Sequence, residues 1–242
     1  QSRNGSSRLP NKSSLSLAGF PTLLHLINRL RKVKFKNFGI IVATSVNKED
    51  DPLFNLCKLN NVPCFRGDGL DVFSRFKLIV KQYKPEYVIR ITGDCPLIFS
   101  PIIEELINLT LKDQSIDYAS NIISRTYPHG MDVEIFKSKI LLDHKDPSAS
   151  DIEHVTPFIY NSKNMKIFSY EHEENLSKYR ITLDTFMDFI FLDRLLLEYK
   201  IKFKDSNIFD IISPIEISNL ICNNNKLSSL HQEAKDNSNF VY

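Results

Sequence analysis

Apolar and polar residues recur along this chain with two different periods. Stretches with apolar residues every three or four positions predict amphipathic helices, and short apolar runs between turn residues predict strands. The helical period covers residues 23–30, 51–60, 71–83, 101–111 and 186–199. Strand-like runs cover residues 38–43, 62–65, 87–92, 131–136 and 179–183. This alternation of strands and helices is typical of an α/β domain with a mostly parallel sheet.

The periodic region defines one predicted domain. It extends over residues 1–222, whereas residues 223–242 are polar, lack a clear period and are interpreted as a tail or linker. The first loop, helix and strand form most of a βαβ unit. We therefore expect a further strand upstream of Gln1.

Charge and composition exclude several classes of function. Lys and Arg number 31 against 29 Asp and Glu, a net charge of +2, so no overall field favours long nucleic acid as a partner. No apolar run is long enough to span a bilayer, and we expect no membrane insertion. The four cysteines form neither a C-x-x-C pair nor a metal-binding quartet, which favours free thiols and a cytoplasmic location.

The first twelve residues combine cations with small residues. Arg3, Arg8 and Lys12 flank a Gly5-Ser6-Ser7 stretch that allows the backbone to turn its N–H groups toward an anion. Guanidinium and ammonium groups are suited to phosphate oxygens, so this pattern predicts a triphosphate site. A disordered basic N-terminus is the alternative interpretation.

Two aspartates follow apolar runs. Asp94 comes just after the run at 87–92, and Asp184 just after the run at 179–183, the position at which open α/β sheets place ligands. Because Mg²⁺ is usually held by one or two carboxylates together with substrate phosphates, the pair predicts one magnesium site. The alternatives are an Asx turn at Asp94 and a helix N-cap at Asp184.

Five short motifs follow one another along the chain. They are Arg3-x-x-Ser6-x-Arg8-Leu9-Pro10-x-Lys12, Ala43-Thr44-Ser45, Phe65-Arg66-Gly67, Arg90-Ile91-Thr92-Gly93-Asp94-Cys95-Pro96-Leu97 and Leu183-Asp184-Thr185. In this order they resemble the cytidylyltransferase family that makes CMP-activated acidic sugars. The resemblance extends over about residues 1–200 and is greatest to the branch known from spore coat polysaccharide biosynthesis.

This resemblance implies a fold and a reaction. The fold is a three-layer α/β/α Rossmann-like domain of the nucleotide-diphospho-sugar transferase type. The reaction is Mg²⁺-dependent transfer of CMP from CTP to a sugar hydroxyl, with release of pyrophosphate.

The resemblance also assigns residues to roles. Catalysis is assigned to Arg3, Arg8, Lys12 and Asp94, and Mg²⁺ binding to Asp94 and Asp184. The nucleotide ligands implied are Arg3, Ser6, Arg8, Lys12, Ala43, Thr44, Ser45, Arg66 and Gly93. An ordinary strand-exit turn explains Thr44 and Ser45 equally well.

Two positions depart from the family pattern. Asn11 stands where the family often has Gly, a mild change because Asn tolerates left-handed backbone geometry. Gly69-Leu70 replaces a common acidic pair. Asp71 and Arg75 follow one helical turn apart and are interpreted as a solvated i,i+4 pair.

The segment at 125–136 is where we expect recognition of the acceptor sugar. Arg125 or His129 is expected to meet an acceptor carboxylate, and Asp132 and Glu134 its hydroxyls. A turn at Pro128 and Gly130 leading into a strand accounts for the same residues without any ligand.

The sequence leaves alternatives open for both the oligomeric state and the function. Residues 158–160 and 165–170 are expected to form a homodimer arm, or else a strand of the same sheet. A glycosyltransferase using a finished nucleotide sugar is one alternative function, although Gly93-Asp94-Cys95 is not the Asp-x-Asp motif of that class. A non-catalytic nucleotide-binding domain is the other.

Overall fold

The computed structural model describes residues 1–239 and contains helices and strands in alternation. The strands are β1 Ser16–Leu17, β2 Phe20–Pro21, β3 Val42–Ser45, β4 Cys64–Gly67, β5 Tyr87–Arg90, β6 Tyr118–Ser120, β7 Glu134–Lys137 and β8 Ile167–Ser169. The helices are α1 Thr22–Leu30, α2 Asp51–Leu59, α3 Val72–Tyr83, α4 Ser100–Lys112, α5 Ser138–Asp143, α6 Ala149–His154, α7 Pro157–Tyr160, α8 Phe186–Lys202, α9 Pro214–Cys222 and α10 Asn225–Asn239.

The strands form a mixed arrangement. β3 pairs with β4 in parallel, and a second group has the order β5-β7-β6-β8. In that group β7 is antiparallel to both β5 and β6, and β8 is parallel to β6.

Alternate residues of the central strands separate two hydrophobic cores. Ala119 and Ile135 belong to a large core with α1, α2, α4, α8, α9 and α10, whereas their neighbours Tyr118 and Phe136 belong to a smaller core with α3, α5 and α7. Side chains of a strand point alternately to its two faces, so each face is covered by helices. The predicted three-layer α/β/α fold is confirmed, but the sheet is mixed and not mostly parallel, because β7 runs antiparallel between β5 and β6.

The first two residues lie between the ends of β3 and β5. The Ser2 N–H donates to the Ala43 carbonyl at 3.0 Å, and the Gly93 N–H donates to the Gln1 carbonyl at 2.7 Å. Beside them, apolar side chains of α1, β3, α3 and β5 line a cavity of about 740 Å³. That a strand precedes Gln1 stays a prediction.

Four of the five predicted helices begin and end within two residues of their predicted bounds, and the strands differ more. The run predicted at 38–43 pairs only from Val42 onward. Residues 179–183 form an extended segment with one parallel bridge, between His129 and Arg180.

Parts of the expected dimer arm pack inside this chain. Ile167–Ser169 is β8, paired with β6, which agrees with the same-sheet alternative. Phe158 and Ile159 lie in α7, where Phe158 contacts the ring of Phe73 and Ile159 is fully buried. The homodimer itself stays a prediction.

The predicted tail at residues 223–242 is wrong for residues 225–239, which form the helix α10, and residues 240–242 lie outside the described residues. Leu227, His231, Ala234 and Ser238 are buried and recur at helical spacing against α8 and α9. Two of these four residues are polar, which hides the period from a hydrophobicity pattern. Among residues 1–239, no helix is both long enough and apolar enough to cross a membrane.

We predict that Gly130→Ala destabilises the fold much more than Gly19→Ala. Both glycines have positive φ, +103° and +89°, but a Cβ at Gly130 would lie 2.6 Å from the Thr182 backbone N, whereas Gly19 has nothing within 4 Å. Backbone strain alone costs about 1 kcal/mol or more, and the contact at Gly130 should bring that loss to about 2–4 kcal/mol. Urea unfolding measures both, and equal losses would contradict the contact argument.

Candidate active site

The N-terminal loop is an ordered turn. The Asn4 carbonyl accepts from the N–H groups of Ser6 at 2.8 Å and Asn11 at 3.0 Å, which folds residues 4–11 back on themselves. Asn11 has φ 59°, the left-handed geometry expected of a residue that replaces Gly. The interpretation as a disordered basic terminus is wrong, because the backbone of the loop is bonded to itself.

The ammonium group of Lys12 joins two carboxylates from distant parts of the chain. Lys12 Nζ lies 3.0 Å from Asp94 Oδ2 and 2.9 Å from Asp184 Oδ1. Arg8 adds a longer contact of 3.5 Å to the same Asp184 oxygen. The structure thus brings the N-terminal loop and both predicted metal-binding aspartates together at one point.

The charges of this cluster stabilise one another. Burial would lower the pKa of Lys12, but Asp94 and Asp184 outweigh it and raise that pKa above its usual value. Burial likewise opposes ionisation of Asp94, yet Lys12 and the Thr92 hydroxyl hold the pKa of Asp94 below its usual value. Lys12 and Asp94 are therefore both charged near neutral pH.

Backbone hydrogen bonds join the segments that carry the two aspartates. The Asp94 carbonyl accepts from the Leu183 N–H at 2.8 Å and from the Thr182 hydroxyl at 3.2 Å. Each carboxylate is thereby tied to the segment that presents the other. An isolated Asx turn does not describe Asp94.

Asp184 precedes the N-cap of α8 and does not occupy it. The N-cap is Thr185, which forms a reciprocal capping box with Asp188. The Asp184 carboxylate contacts Lys12 through Oδ1. Its other oxygen, Oδ2, lies 3.2 Å from the Arg180 guanidinium. The N-cap interpretation of Asp184 is wrong for this reason.

The donor set fits a small hard cation only in part. Within residues 1–239 no group of three or more His, Cys, Asp or Glu side chains is arranged to hold a metal. Mg²⁺ nevertheless commonly takes only one or two carboxylates from the protein when substrate phosphates complete its coordination shell. Two carboxylates lie here within hydrogen-bond distance of the Lys12 ammonium group. Asp94 and Asp184 are the residues that would hold Mg²⁺.

A buried aspartate that the sequence did not indicate as functional connects the N-terminal loop to β3. Asp50 is fully buried and accepts from the Asn4 N–H at 2.6 Å, from the Ser45 N–H at 3.2 Å and from the Ser45 hydroxyl. In the sequence it is one of several acidic residues before α2, and nothing there marks it as buried. Asp50 fixes the distance between two predicted nucleotide-binding loops.

The three predicted residues at the end of β3 are all enclosed. Ala43 is 3 % exposed, and Thr44 and Ser45 are fully buried. The Ser45 hydroxyl is used by Asp50, while the Thr44 hydroxyl has no hydrogen-bond partner among the described residues. These side chains line the strand end without projecting from it.

Arg66 holds the loop that follows β3. Its guanidinium donates to the Ser45 carbonyl at 2.8 Å and the Asn47 carbonyl at 2.9 Å, and it pairs with Asp51 at 2.7 Å. Arg3 reaches the neighbouring loop, where it donates to the Gly69 carbonyl at 2.9 Å. Both arginines therefore lie beside the predicted nucleotide site and order its backbone.

Gly93 and Ser6 serve the backbone in this structure. A Cβ on Gly93 would lie 2.5 Å from Ser2 Oγ and 2.9 Å from the Gln1 carbonyl oxygen, so only glycine fits this approach. The Ser6 hydroxyl accepts from the Leu9 N–H at 3.4 Å. Both residues lie in the loops that meet at Lys12.

Arg75 is buried, which overturns its interpretation as half of a solvated pair. It is 1 % exposed and donates to the Asp68 carbonyl at 3.0 Å, while Asp71 caps α3 through the Ser74 N–H. Burial, followed by the charge of Arg3, lowers the pKa of Arg75. A second cation thus lies close behind Arg3.

The predicted acceptor residues separate into two groups. Arg125 and Asp132 form a bidentate pair at 2.6 and 3.0 Å, next to the exposed His129. Glu134 is 3 % exposed, and its carboxylate is held by Arg90, Tyr118 and Thr156. The structure does not bring Glu134 to a surface where an acceptor could bind, because β7 turns it into the core.

Sequence comparison agrees with this geometry. The family profile described as cytidylyltransferase matches residues 1–215. The chain belongs to the cytidylyltransferase family. It is 39% identical over 198 residues to the uncharacterized protein MJ1063 of Methanocaldococcus jannaschii, covering 78% of each chain. It is 30% identical over 198 residues to the spore coat polysaccharide biosynthesis protein SpsF of Bacillus subtilis, covering 78% of this chain and 81% of SpsF.

Solved structures show the same cytidylyltransferase fold. A cytidylyltransferase from Leptospira borgpetersenii has a TM-score of 0.83 and 32% identity, over 95% of this chain and 93% of the other. CMP-2-keto-3-deoxy-manno-octonic acid synthetase complexed with CTP has a TM-score of 0.63 and 15% identity, over 82% and 96%. The resemblance and the fold type inferred from the motifs are confirmed.

We predict that Asp50→Asn destabilises this cytidylyltransferase and that its neighbour Asp51→Asn does not. Asparagine at 50 would turn an N–H donor toward the N–H groups of Asn4 or Ser45, and an unsatisfied buried group costs about 1–3 kcal/mol. Asp51 is half exposed and pairs only with Arg66, so its loss should cost under about 1 kcal/mol.

Urea unfolding of the two variants checks this difference. Equal stabilities would show that Asp50 does not hold the loops together.

Proposed function

We propose that this protein transfers CMP from CTP to the hydroxyl of an acidic sugar, KDO-like or nonulosonic, and releases pyrophosphate for cell-surface polysaccharide synthesis. The observation that carries the proposal is the convergence of Lys12, Asp94 and Asp184 at one point beside the N-terminal loop. Family membership supports nucleotidyl transfer from CTP. The relative SpsF, named for polysaccharide biosynthesis, supports a sugar acceptor.

In this proposal the loop at 3–12 binds the triphosphate. Arg3, Arg8 and Lys12 supply cations, and Ser6 shapes the turn. Negative charge grows on the phosphate oxygens as the α-phosphorus bond to pyrophosphate breaks, and fixed cations stabilise that charge. The acceptor hydroxyl oxygen forms the new bond to the α-phosphorus, and its proton passes to solvent.

The nucleoside would lie against the ends of β3 and β4. Ala43, Thr44 and Ser45 keep this strand end narrow, and Arg66 and Gly93 order the loops on either side. Small residues permit the close backbone approach by which a pyrimidine edge is recognised.

Mg²⁺ is proposed as the cofactor, held by Asp94 and Asp184. When bound it would act as a Lewis acid that neutralises the phosphate oxygens. Lys12 supplies the positive charge that favours the ionised form of Asp94, and its contacts hold both carboxylates in place before the cation and nucleotide arrive.

The acceptor is proposed to bind at residues 125–132. His129 is exposed there, and Arg125 would meet the acceptor carboxylate while Asp132 meets hydroxyls. Since Arg125 and Asp132 are paired with each other, acceptor binding would exchange one bidentate contact for another. A cytoplasmic location is supported by four free thiols, and a homodimer is retained as part of the proposal.

Nucleotide-dependent thermal stability is the first test. The protein is heated with CTP, UTP, ATP or GTP, each with and without Mg²⁺, and a ligand at a hundred times its Kd should stabilise the fold by about 2.7 kcal/mol. We expect a Mg²⁺-dependent shift selective for CTP, followed by pyrophosphate release when acidic sugars are added. Equal shifts with all four nucleotides, or none, would overturn the assignment of CTP.

We predict that Asp94→Asn and Asp184→Asn each reduce turnover at least about a hundredfold, the scale of losing an electrostatic contact in the transition state. The fold should survive, because each amide keeps the size and part of the hydrogen bonding of the carboxylate. Pyrophosphate release measures turnover.

Asp117→Asn is the matched control for these two variants. Asp117 also pairs with a lysine, Lys137, but it lies at the start of β6, at the opposite end of the sheet from Asp94. Its turnover should match that of the unaltered protein. Near-normal turnover in both Asp94→Asn and Asp184→Asn would end the proposed role of this cluster.

A further inference from the structure

The C-terminal helix α10 makes a direct hydrogen bond to the segment that carries Asp184. His231 Nε2 accepts from the Arg180 backbone N–H at 3.0 Å, and His231 is 7 % exposed. On its other side the same segment pairs with the loop at His129, whose carbonyl accepts from the Ile181 N–H at 2.7 Å. The segment is therefore held from two sides.

Arg180 continues this connection to the active-site cluster. Its guanidinium contacts both oxygens of the buried Asp188, at 2.9 and 3.0 Å, and Oδ2 of Asp184 at 3.2 Å. The opposite oxygen of Asp184 is the one that Lys12 contacts. One continuous set of contacts runs from His231 through Arg180 to Asp184 and Lys12.

The His231 ring is suited to act as an acceptor in a fixed orientation. It packs between the rings of Tyr179 and Phe191, at centroid distances of 5.7 and 5.2 Å. Burial, with Lys235 and Arg180, lowers the pKa of His231 to about 4, so the ring is neutral at pH 7. A neutral imidazole keeps one nitrogen lone pair free to accept the Arg180 N–H.

Removal of this acceptor would leave the Arg180 N–H buried without a partner. Buried backbone N–H groups are nearly always satisfied, so the segment would shift to find water or another acceptor. A shift of Arg180 moves the guanidinium that orients Asp184.

We infer that His231 is a positioning residue for Asp184, and that α10 is part of the active-site framework. The inference rests on the proposed function for its kinetic consequence. The helix lies beyond residues 1–215, the part that the family profile matches. Its contribution is thus visible only in the three-dimensional structure.

Two substitutions at this position separate the hydrogen bond from the packing. The amide oxygen of Gln in His231→Gln can reach the place of Nε2, whereas His231→Asn ends near the place of Nδ1 and cannot reach the Arg180 N–H. Leu227→Ala is the packing control, because Leu227 is fully buried on the same helix.

The first readout is hydrogen exchange of the peptide covering residues 179–184, which needs no substrate. We expect faster exchange there in His231→Asn, near-normal exchange in His231→Gln, and no selective change in Leu227→Ala. Equal exchange in His231→Asn and Leu227→Ala would overturn the inference. If His231→Asn does not fold, faster exchange at 179–184 in His231→Gln than in Leu227→Ala overturns it instead.

The second readout is CMP transfer as a function of Mg²⁺ concentration. Loss of a partner behind a metal ligand commonly costs about 10–100-fold in metal affinity or activity, and we expect about tenfold for His231→Asn. His231→Gln should recover most of this loss. An unaltered protein without CMP transfer but with the expected exchange pattern would refute only the proposed function, whereas normal transfer in His231→Asn would refute the positioning role.

Discussion

The contact on which the site depends is the ammonium group of Lys12 between two carboxylates. Asp94 and Asp184 come from strand ends that are 90 residues apart in the chain, and like charges held this close repel unless a cation lies between them. Breaking one partner of a buried ion pair leaves the other uncompensated, which costs far more than the pair itself contributes. The fold of the N-terminal loop is therefore coupled to the two segments that carry the aspartates, and a nucleotide bound to the loop as proposed would act on all three segments.

Buried acids perform a second task around this cluster. Asp50 joins the N-terminal loop to β3, and Asp188 orders Arg180 and the start of α8. Glu134 binds Arg90, Tyr118 and Thr156 inside the sheet. Each is satisfied by several donors, so each fixes several backbone segments at once. Surface charges could not give the same rigidity, because water competes for their partners.

The parts of the fold and site that the sequence predicted are those with a strong local signal. Helices such as α1 and α3 have clear apolar periods, and Asp94 and Asp184 follow apolar runs whose ends are joined by a backbone hydrogen bond. Other features depend on tertiary contacts that no local pattern records. Asp50 looks like any acidic residue before a helix. Two of the buried positions of α10 are the polar residues His231 and Ser238, so the helix lacks the apolar period by which it would have been recognised.

Glu134 illustrates the same limit and has a wider consequence. Its ion pair with Arg90 fixes the register of β7 against β5 from inside the core, so the strand does not rely on the preceding turn for its position. That turn, from Arg125 to Asp132, is held by the Arg125–Asp132 pair, by backbone contacts at His129 and by the buried side chains of Tyr127 and Met131. Exposed positions of the turn, such as His129, can therefore vary in evolution while the strand beneath them keeps its register.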